Sequence, residues 1–141
     1  MEKTDNDGTW MKGKFTGQEC NILVKSSSVS HTVYSVYALF TIRREWIAAK
    51  SDYNSLKAAL TKKYGNPISK EEFSFPYSEG DSYEFMHMRG GDVVWRSDYK
   101  TEQGNISLYI RDQGVNEGCV ILKYEDKTNS VNATDELTND L

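Results

Sequence analysis

Apolar and polar positions first alternate along the chain. From Thr9 to Thr16, Met11 and Phe15 fall on one side and Lys12 and Lys14 on the other, and Gly17-Gln18 follows. This predicts a strand entering a hairpin. Cys20, Ile22 and Val24 share a face of a second strand over Cys20 to Lys25, which the Ser26-Ser27-Ser28 cluster ends. His31 to Ile42 is rich in β-branched and aromatic residues, with apolar side chains on both faces. That pattern predicts a long central strand covered on both sides.

The period then changes. Trp46, Ala49, Tyr53, Leu56, Leu60 and Tyr64 recur at helical spacing, with Lys50, Asn54, Lys57 and Thr61 on the opposite side. This predicts an amphipathic helix over about 44–64. Its end is well signalled: Lys62-Lys63 complement the negative end of the helix dipole, Gly65 can adopt the left-handed conformation, and Pro67 prevents continuation. Its start is not, since Arg44 stands where a capping side chain would be useful.

Beyond Pro67 the period returns to two. Phe73 and Phe75, then Tyr83, Phe85 and His87, read as strand positions, with a turn at Arg89-Gly90-Gly91-Asp92. Val93, Trp95 and Tyr99 share the next face, Glu102 to Asn105 turns again, and Ile106, Leu108 and Ile110 alternate with polar neighbours. Val120, Leu122 and Tyr124 repeat the pattern after the Asp112 to Gly118 loop. Short loops between consecutive strands predict antiparallel pairing. From Lys127, spaced Val131, Leu137 and Leu141 suggest a short C-terminal helix.

These elements compose an α+β fold. A mostly antiparallel sheet of about six to seven strands is packed by one long helix (about 44–64) and a short C-terminal helix, in the order βββ-α-βββββ-α. Residues 1–8 read as a flexible N-terminal segment and 9–141 as one domain. An internal echo, Cys20 to Val24 then Val33 to Phe40 against Asn105 to Leu108 then Cys119 to Tyr124, would fit two related halves.

Composition narrows the function classes. At 141 residues the chain can bury one core, and its aromatic content argues against global disorder. The net charge is −4 and no basic stripe is present in the sequence, so nucleic acid is not expected as a partner. The longest apolar-rich run, Val33 to Ile42, is too short to span a membrane, and Met1 to Gly8 lacks a signal-peptide core. Cys20 and Cys119 can form one disulfide or remain two buried thiols, and their spacing does not decide between these.

Candidate chemistry is sparse. Gly8-Thr9-Trp10-Met11-Lys12-Gly13-Lys14 fits a phosphate-binding loop up to the position where Phe15 replaces the required hydroxyl, and no strand–loop–helix context surrounds it. His31 and His87 are the only imidazoles and lie at no metal-binding spacing. Glu71-Glu72 and Glu125-Asp126 are strand neighbours that point to opposite faces, which does not suit a shared acid/base role. No catalytic, metal or cofactor site is therefore assigned. The surface singled out for a ligand or partner is the face opposite the core on the later strands, with Arg96, Tyr109, Arg111 and Lys123, since Tyr and Arg are good interface anchors.

The run Trp46-x-x-Ala49-x-x-x-Tyr53-x-x-Leu56-x-x-x-Leu60-x-x-Lys63-Tyr64-Gly65-x-Pro67 resembles a group of small uncharacterised α+β domains common in gut Bacteroidota. Gly13-x-Phe15-x-Gly17-x-x-Cys20, Thr101-Glu102-x-Gly104-x-Ile106-x-Leu108 and Cys119-Val120-x-Leu122-x-Tyr124 agree with it. The resemblance implies duplicated helix-plus-sheet halves, similar in arrangement to β-lactamase-inhibitor-like modules, and carries no activity with it. It also implies export, to the periplasm, cell surface or exterior. Members tend to have a further helical segment before the first strand, which this chain lacks; an apolar sheet face left bare would invite a homodimer.

Three functions follow, in order: a non-enzymatic binding module for a protein or small molecule, an enzyme (hydrolase-like) with a scattered active site, and a self-associating structural protein. A deep pocket holding His31 or His87 near a carboxylate and a hydroxyl would favour the second.

Overall fold

The long helix forms where its apolar stripe predicts. In the computed structural model, which describes residues 3–5, 8–26 and 33–126, helix α1 spans Trp46–Tyr64 and buries Trp46, Ala49, Tyr53, Leu56 and Leu60. Glu45 is extended and offers no side-chain cap, as the sequence around Arg44 suggested. At the other end Gly65 takes φ 87° and donates its N–H to the Thr61 carbonyl at 2.9 Å. Burying each large stripe residue contributes about 1.5–3 kcal/mol, so the stripe commits the helix to the sheet.

That sheet has eight antiparallel strands. Strands β1 (Lys3–Asp5), β2 (Gly8–Phe15), β3 (Gln18–Ser26) and β4 (Val33–Phe40) form one meander. Strands β5 (Ile68–Phe73), β6 (Val93–Lys100), β7 (Gly104–Asp112) and β8 (Gly118–Asp126) form the other. The spatial order is β1-β2-β3-β4-β8-β7-β6-β5, so the halves join where β4 pairs with β8. The α+β antiparallel architecture read from the sequence is the architecture found. The two segments of the internal echo occupy matching places, β3 and β7 next to last and β4 and β8 last in their halves. Lys3–Asp5, within the segment expected to be flexible, pairs with Trp10, Thr9 and Gly8 as a short edge strand.

The connection from β4 through α1 to β5 carries the chain from the centre of the sheet to its far edge, laying α1 across β6, β7 and β8. Leu108, Ile110, Val120, Ile106 and Tyr99 meet the helix stripe in one core. Three of the hydroxyls inside it are paired, whereas Trp95 Nε1 at its edge is buried without a hydrogen-bond partner among the described residues. Tyr53 and Ser97 share a hydrogen bond, Ser97 shares another with Ser69 at 2.8 Å, and the Tyr99 hydroxyl donates to the Lys57 carbonyl at 3.1 Å.

One segment departs from the expected order. Tyr83, Phe85 and His87, read as strand positions, belong to a short helix, α2 (Glu84–Arg89), and its N-terminal boundary residue Tyr83. The order over the described residues is therefore ββββ-α-β-α-βββ. Only Phe85 of the three is buried, at 3% exposure, while Tyr83 is 53% exposed. Two flanking rings that stay out of the core, Tyr83 exposed and His87 stacked on Tyr77, supplied an apparent period of two, which a six-residue helix is too short to contradict. Phe85 completes an aromatic corner in which Trp46 meets Phe73, Phe85 and Trp95 edge-on at 5.3–5.8 Å. Its ring lies where a side chain on Gly118 would be: a Cβ there would come within 2.3 Å of the Phe85 ring. Phe75, expected inward with Phe73, lies beyond the end of β5 and is 97% exposed.

Gly8–Phe15, the near-match to a phosphate loop, is an ordinary strand. The cysteines are both free and buried. The register explains why they do not meet: Cys20 pairs with Phe40 on the helix side, whereas Cys119 pairs with Arg111 on the other face. The expected C-terminal helix and His31 lie outside the described residues.

Candidate interaction surface

Successive residues of a strand point to opposite faces, so the register assigns every side chain to the helix side or to the open side. On the open side one row crosses six strands as Arg96, Tyr109, Ile121, Leu39, Asn21 and Lys12. The next row runs Ser107, Lys123, Tyr37, Leu23 and Trp10. Arg111 stands two residues beyond Tyr109 on β7, opposite Cys119. The four residues singled out from the sequence, Arg96, Tyr109, Arg111 and Lys123, thus lie together on three adjacent strands. Neither α1 nor α2 covers them, since α1 buries its apolar stripe and α2 its Phe85 in the core on the other face.

Cations and aromatic rings alternate on this face. Lys25 and Lys123 hold their ammonium groups 5.2 and 5.4 Å from the Tyr37 ring centre, and the Arg96 guanidinium lies 6.0 Å from that of Tyr109. Such contacts contribute about 0.5–1 kcal/mol each when exposed. Asp98 holds Arg96 in place with two hydrogen bonds, 2.9 and 2.7 Å, and accepts a third from Ser107 at 2.7 Å. The Arg96 hydrogen bond is the main cause holding the Asp98 carboxyl below its ordinary range, against the burial that would raise it. Burial pushes the Tyr109 phenol up, while Arg111, Lys123 and Arg96 pull it down. Lys123 also pairs with Glu125 at 3.2 Å.

Toward one end of the rows the face is concave. A cavity of about 730 Å³ runs over Lys12, Lys14, Asn21 and Leu39. A second, of about 520 Å³, lies against Arg89, Arg111, Ile121 and the same Leu39. Tyr37, Leu39, Lys12 and Lys25 were not singled out from the sequence. Their alternation was legible, but their nearness to β7 and β8 depends on the β4–β8 pairing, which joins residues more than eighty positions apart.

An enzymatic site built on His87 would need the imidazole in a pocket beside a carboxylate and a hydroxyl. The His87 Nε2 lies 2.9 Å from an Asp81 carboxylate oxygen, and the ring stacks on Tyr77 with centres 4.0 Å apart. This arrangement closes the 74–83 loop onto α2. The cavity nearby, about 510 Å³, is lined by Trp46, Lys50, Glu79 and Glu84, not by the imidazole. Trp46 Nε1 donates to Glu79 at 2.6 Å and Lys50 pairs with the same carboxylate, so Glu79 is held below its ordinary range, first by the Trp46 hydrogen bond. Among the described residues no group of three His, Cys, Asp or Glu side chains converges as a metal site would require, and no helix is long and apolar enough to cross a membrane.

Compared with family models, curated proteins and solved structures, the chain matches none.

Proposed function

We propose that this protein is a non-enzymatic interaction module of the cell envelope or exterior, and that it engages its partner through the open face of the sheet. The observation that carries the reading is the gathering of Arg96, Tyr109, Arg111 and Lys123, with Tyr37, on a face that neither described helix covers. Aromatic and Arg side chains held in place before binding lose little entropy on docking, which makes them effective anchors. The location rests on the resemblance of the Trp46 to Pro67 run to exported domains.

The test is affinity capture from native lysate and envelope fractions on three baits: wild type, Arg96→Ala/Arg111→Glu, and Lys62→Glu/Lys63→Glu at the exposed end of α1. A partner held by the first and third baits and lost from the second is expected. Equal retention on all three would overturn the reading.

One observation favours a second reading, self-association. Helix α1 packs on β6, β7 and β8, while Met11, Ile22, Val24 and Val36 on the helix side of β2, β3 and β4 are only half-buried. A sedimentation series that stays monomeric across the accessible concentrations would dispose of it.

A further inference from the structure

We propose that the open face receives an acidic polypeptide segment, seated in the concavity around Leu39 with its carboxylates on Lys12, Lys14, Arg89 and Arg111. This rests on the open face being the interaction surface and adds the chemistry of what binds there.

The chain as a whole carries −4. On the open side of the five adjacent strands β2, β3, β4, β8 and β7, however, the register places Lys12, Lys14, Lys25, Arg111 and Lys123 against only Glu19 and Glu125. These five cations and two carboxylates give the face a sign opposite to that of the molecule. It therefore attracts an acidic partner and repels basic ones, over a range of about 8 Å at physiological salt.

The cations of the face differ in whether they are already paired. Lys123 and Arg96 are already paired, with Glu125 and Asp98. Lys12, Lys14, Arg89 and Arg111 form no ion pair among the described residues. These four surround the two cavities that share Leu39. Two carboxylates stand among them, Glu19 and Asp112, so the walls favour anions without being uniformly basic.

The rings and the floor of the face favour a polypeptide over a sulfated glycan or a nucleic acid. Bases bind by stacking on exposed rings, but here the faces of Tyr37 and Tyr109 are engaged by the protein's own cations, Tyr37 by Lys25 and Lys123 and Tyr109 by Arg96. The floor of the concavity is aliphatic, the half-buried Leu39 beside an Ile121 that is itself only 4% exposed. An aliphatic floor inside a cationic wall suits a segment that carries an apolar side chain between carboxylates.

The experiment is selection from a random peptide display library on the immobilised full chain at physiological salt. Dissociation constants of the selected peptides are then measured against wild type, Arg111→Glu, Lys12→Glu/Lys14→Glu and the Lys62→Glu/Lys63→Glu control, with heparin as a competing polyanion. Far-UV circular dichroism confirms that each variant is folded. The expected peptides combine Asp or Glu with an aliphatic residue, weaken about tenfold or more on either open-face variant and bind the control as they bind wild type, with affinity falling as salt rises. Selected peptides that depend on the face but show no acidic enrichment would overturn the partner class and leave the interaction surface standing. Heparin binding at the face without any acidic peptide would also overturn it, in favour of a glycan. Peptides indifferent to both open-face variants, or an empty selection, would bring down the inference and count against the surface itself.

Discussion

Replacing Tyr53 with Phe removes one oxygen from the centre of the helix–sheet contact. Tyr53 and Ser97 are both 0% exposed, and their hydroxyls share a hydrogen bond of 2.5 Å. A buried hydrogen bond contributes about 0.5–1.5 kcal/mol net. After Tyr53→Phe the Ser97 hydroxyl keeps Ser69 at 2.8 Å and is not orphaned, so the loss should fall inside that interval, about 1 kcal/mol. Ser97→Ala should cost at least as much, about 1–3 kcal/mol, because it leaves the fully buried Tyr53 phenol dependent on the Glu71 carboxylate for a partner. The double variant should cost less than the sum of the two, by about 0.5–1.5 kcal/mol, since it removes donor and acceptor together. Urea unfolding followed by circular dichroism measures all three, and each kcal/mol should move the melting temperature by roughly 3–5 °C. Burial pushes the Tyr53 phenol well above the ordinary tyrosine range, so the differences should hold from about pH 6 to 9. Strict additivity, or a Tyr53→Phe variant as stable as wild type, would refute the placement of this contact in the core.

Other sites give sharper local tests. Gly118→Ala should destabilise by about 1–3 kcal/mol by overpacking against the Phe85 ring, and Phe85→Leu in the same chain should recover part of the loss; urea melts that show Gly118→Ala to be neutral would contradict the α2 placement. Phe75→Ala should leave stability within about 0.5 kcal/mol, because Phe75 is 97% exposed; a larger shift in the urea midpoint would mean that the ring packs somewhere. Asp98 is depressed in the fold, so its contribution is present above its unfolded pKa of about 3.9 and is lost as pH falls through the lower folded value. Acid unfolding of Asp98→Asn should accordingly show a shallower loss of stability below about pH 4 than wild type, and identical acid limbs would refute the pairing.

Local periodicity determined what could be read before the structure. The α1 stripe ends where Lys62-Lys63 and Gly65 predicted, because capping and dipole effects act within one turn. Strands β6 and β7 were legible because buried helix-side positions alternate with less buried ones, a pattern that the start of β8, with Cys119, Val120 and Ile121 buried in succession, does not follow. The segment 74–88, before the correctly placed Gly90-Gly91 turn, was misread because its aromatics serve three different purposes: Phe85 fills the core, Tyr77 stacks on His87, and Phe75 is in solvent. Hydrophobicity alone does not distinguish these. In the same way, no spacing argument could assign the cysteines, since their separation turns on which face each strand presents.

The open face shows why charge was harder to read than apolar pattern. Lys12, Lys25, Arg111 and Lys123 are scattered along the sequence, and in an acidic chain such scatter reads as solvation. Strand alternation alone places each of them on a face of its own strand. Only the antiparallel pairing of β4 with β8 turns those separate faces into one surface, with Leu39 opposite Ile121 and Tyr37 opposite Lys123. A basic patch assembled this way has no linear signature, and absence of a basic stripe in the sequence argues against a continuous phosphate track without arguing against an anion-seeking face. The distinction has a physical consequence. A face of five cations and two carboxylates with an aliphatic centre gains from a few well-placed carboxylates but offers no row of charges to follow a polymer backbone. Its binding should therefore depend on salt less steeply than that of a nucleic-acid protein and more steeply than that of an apolar interface.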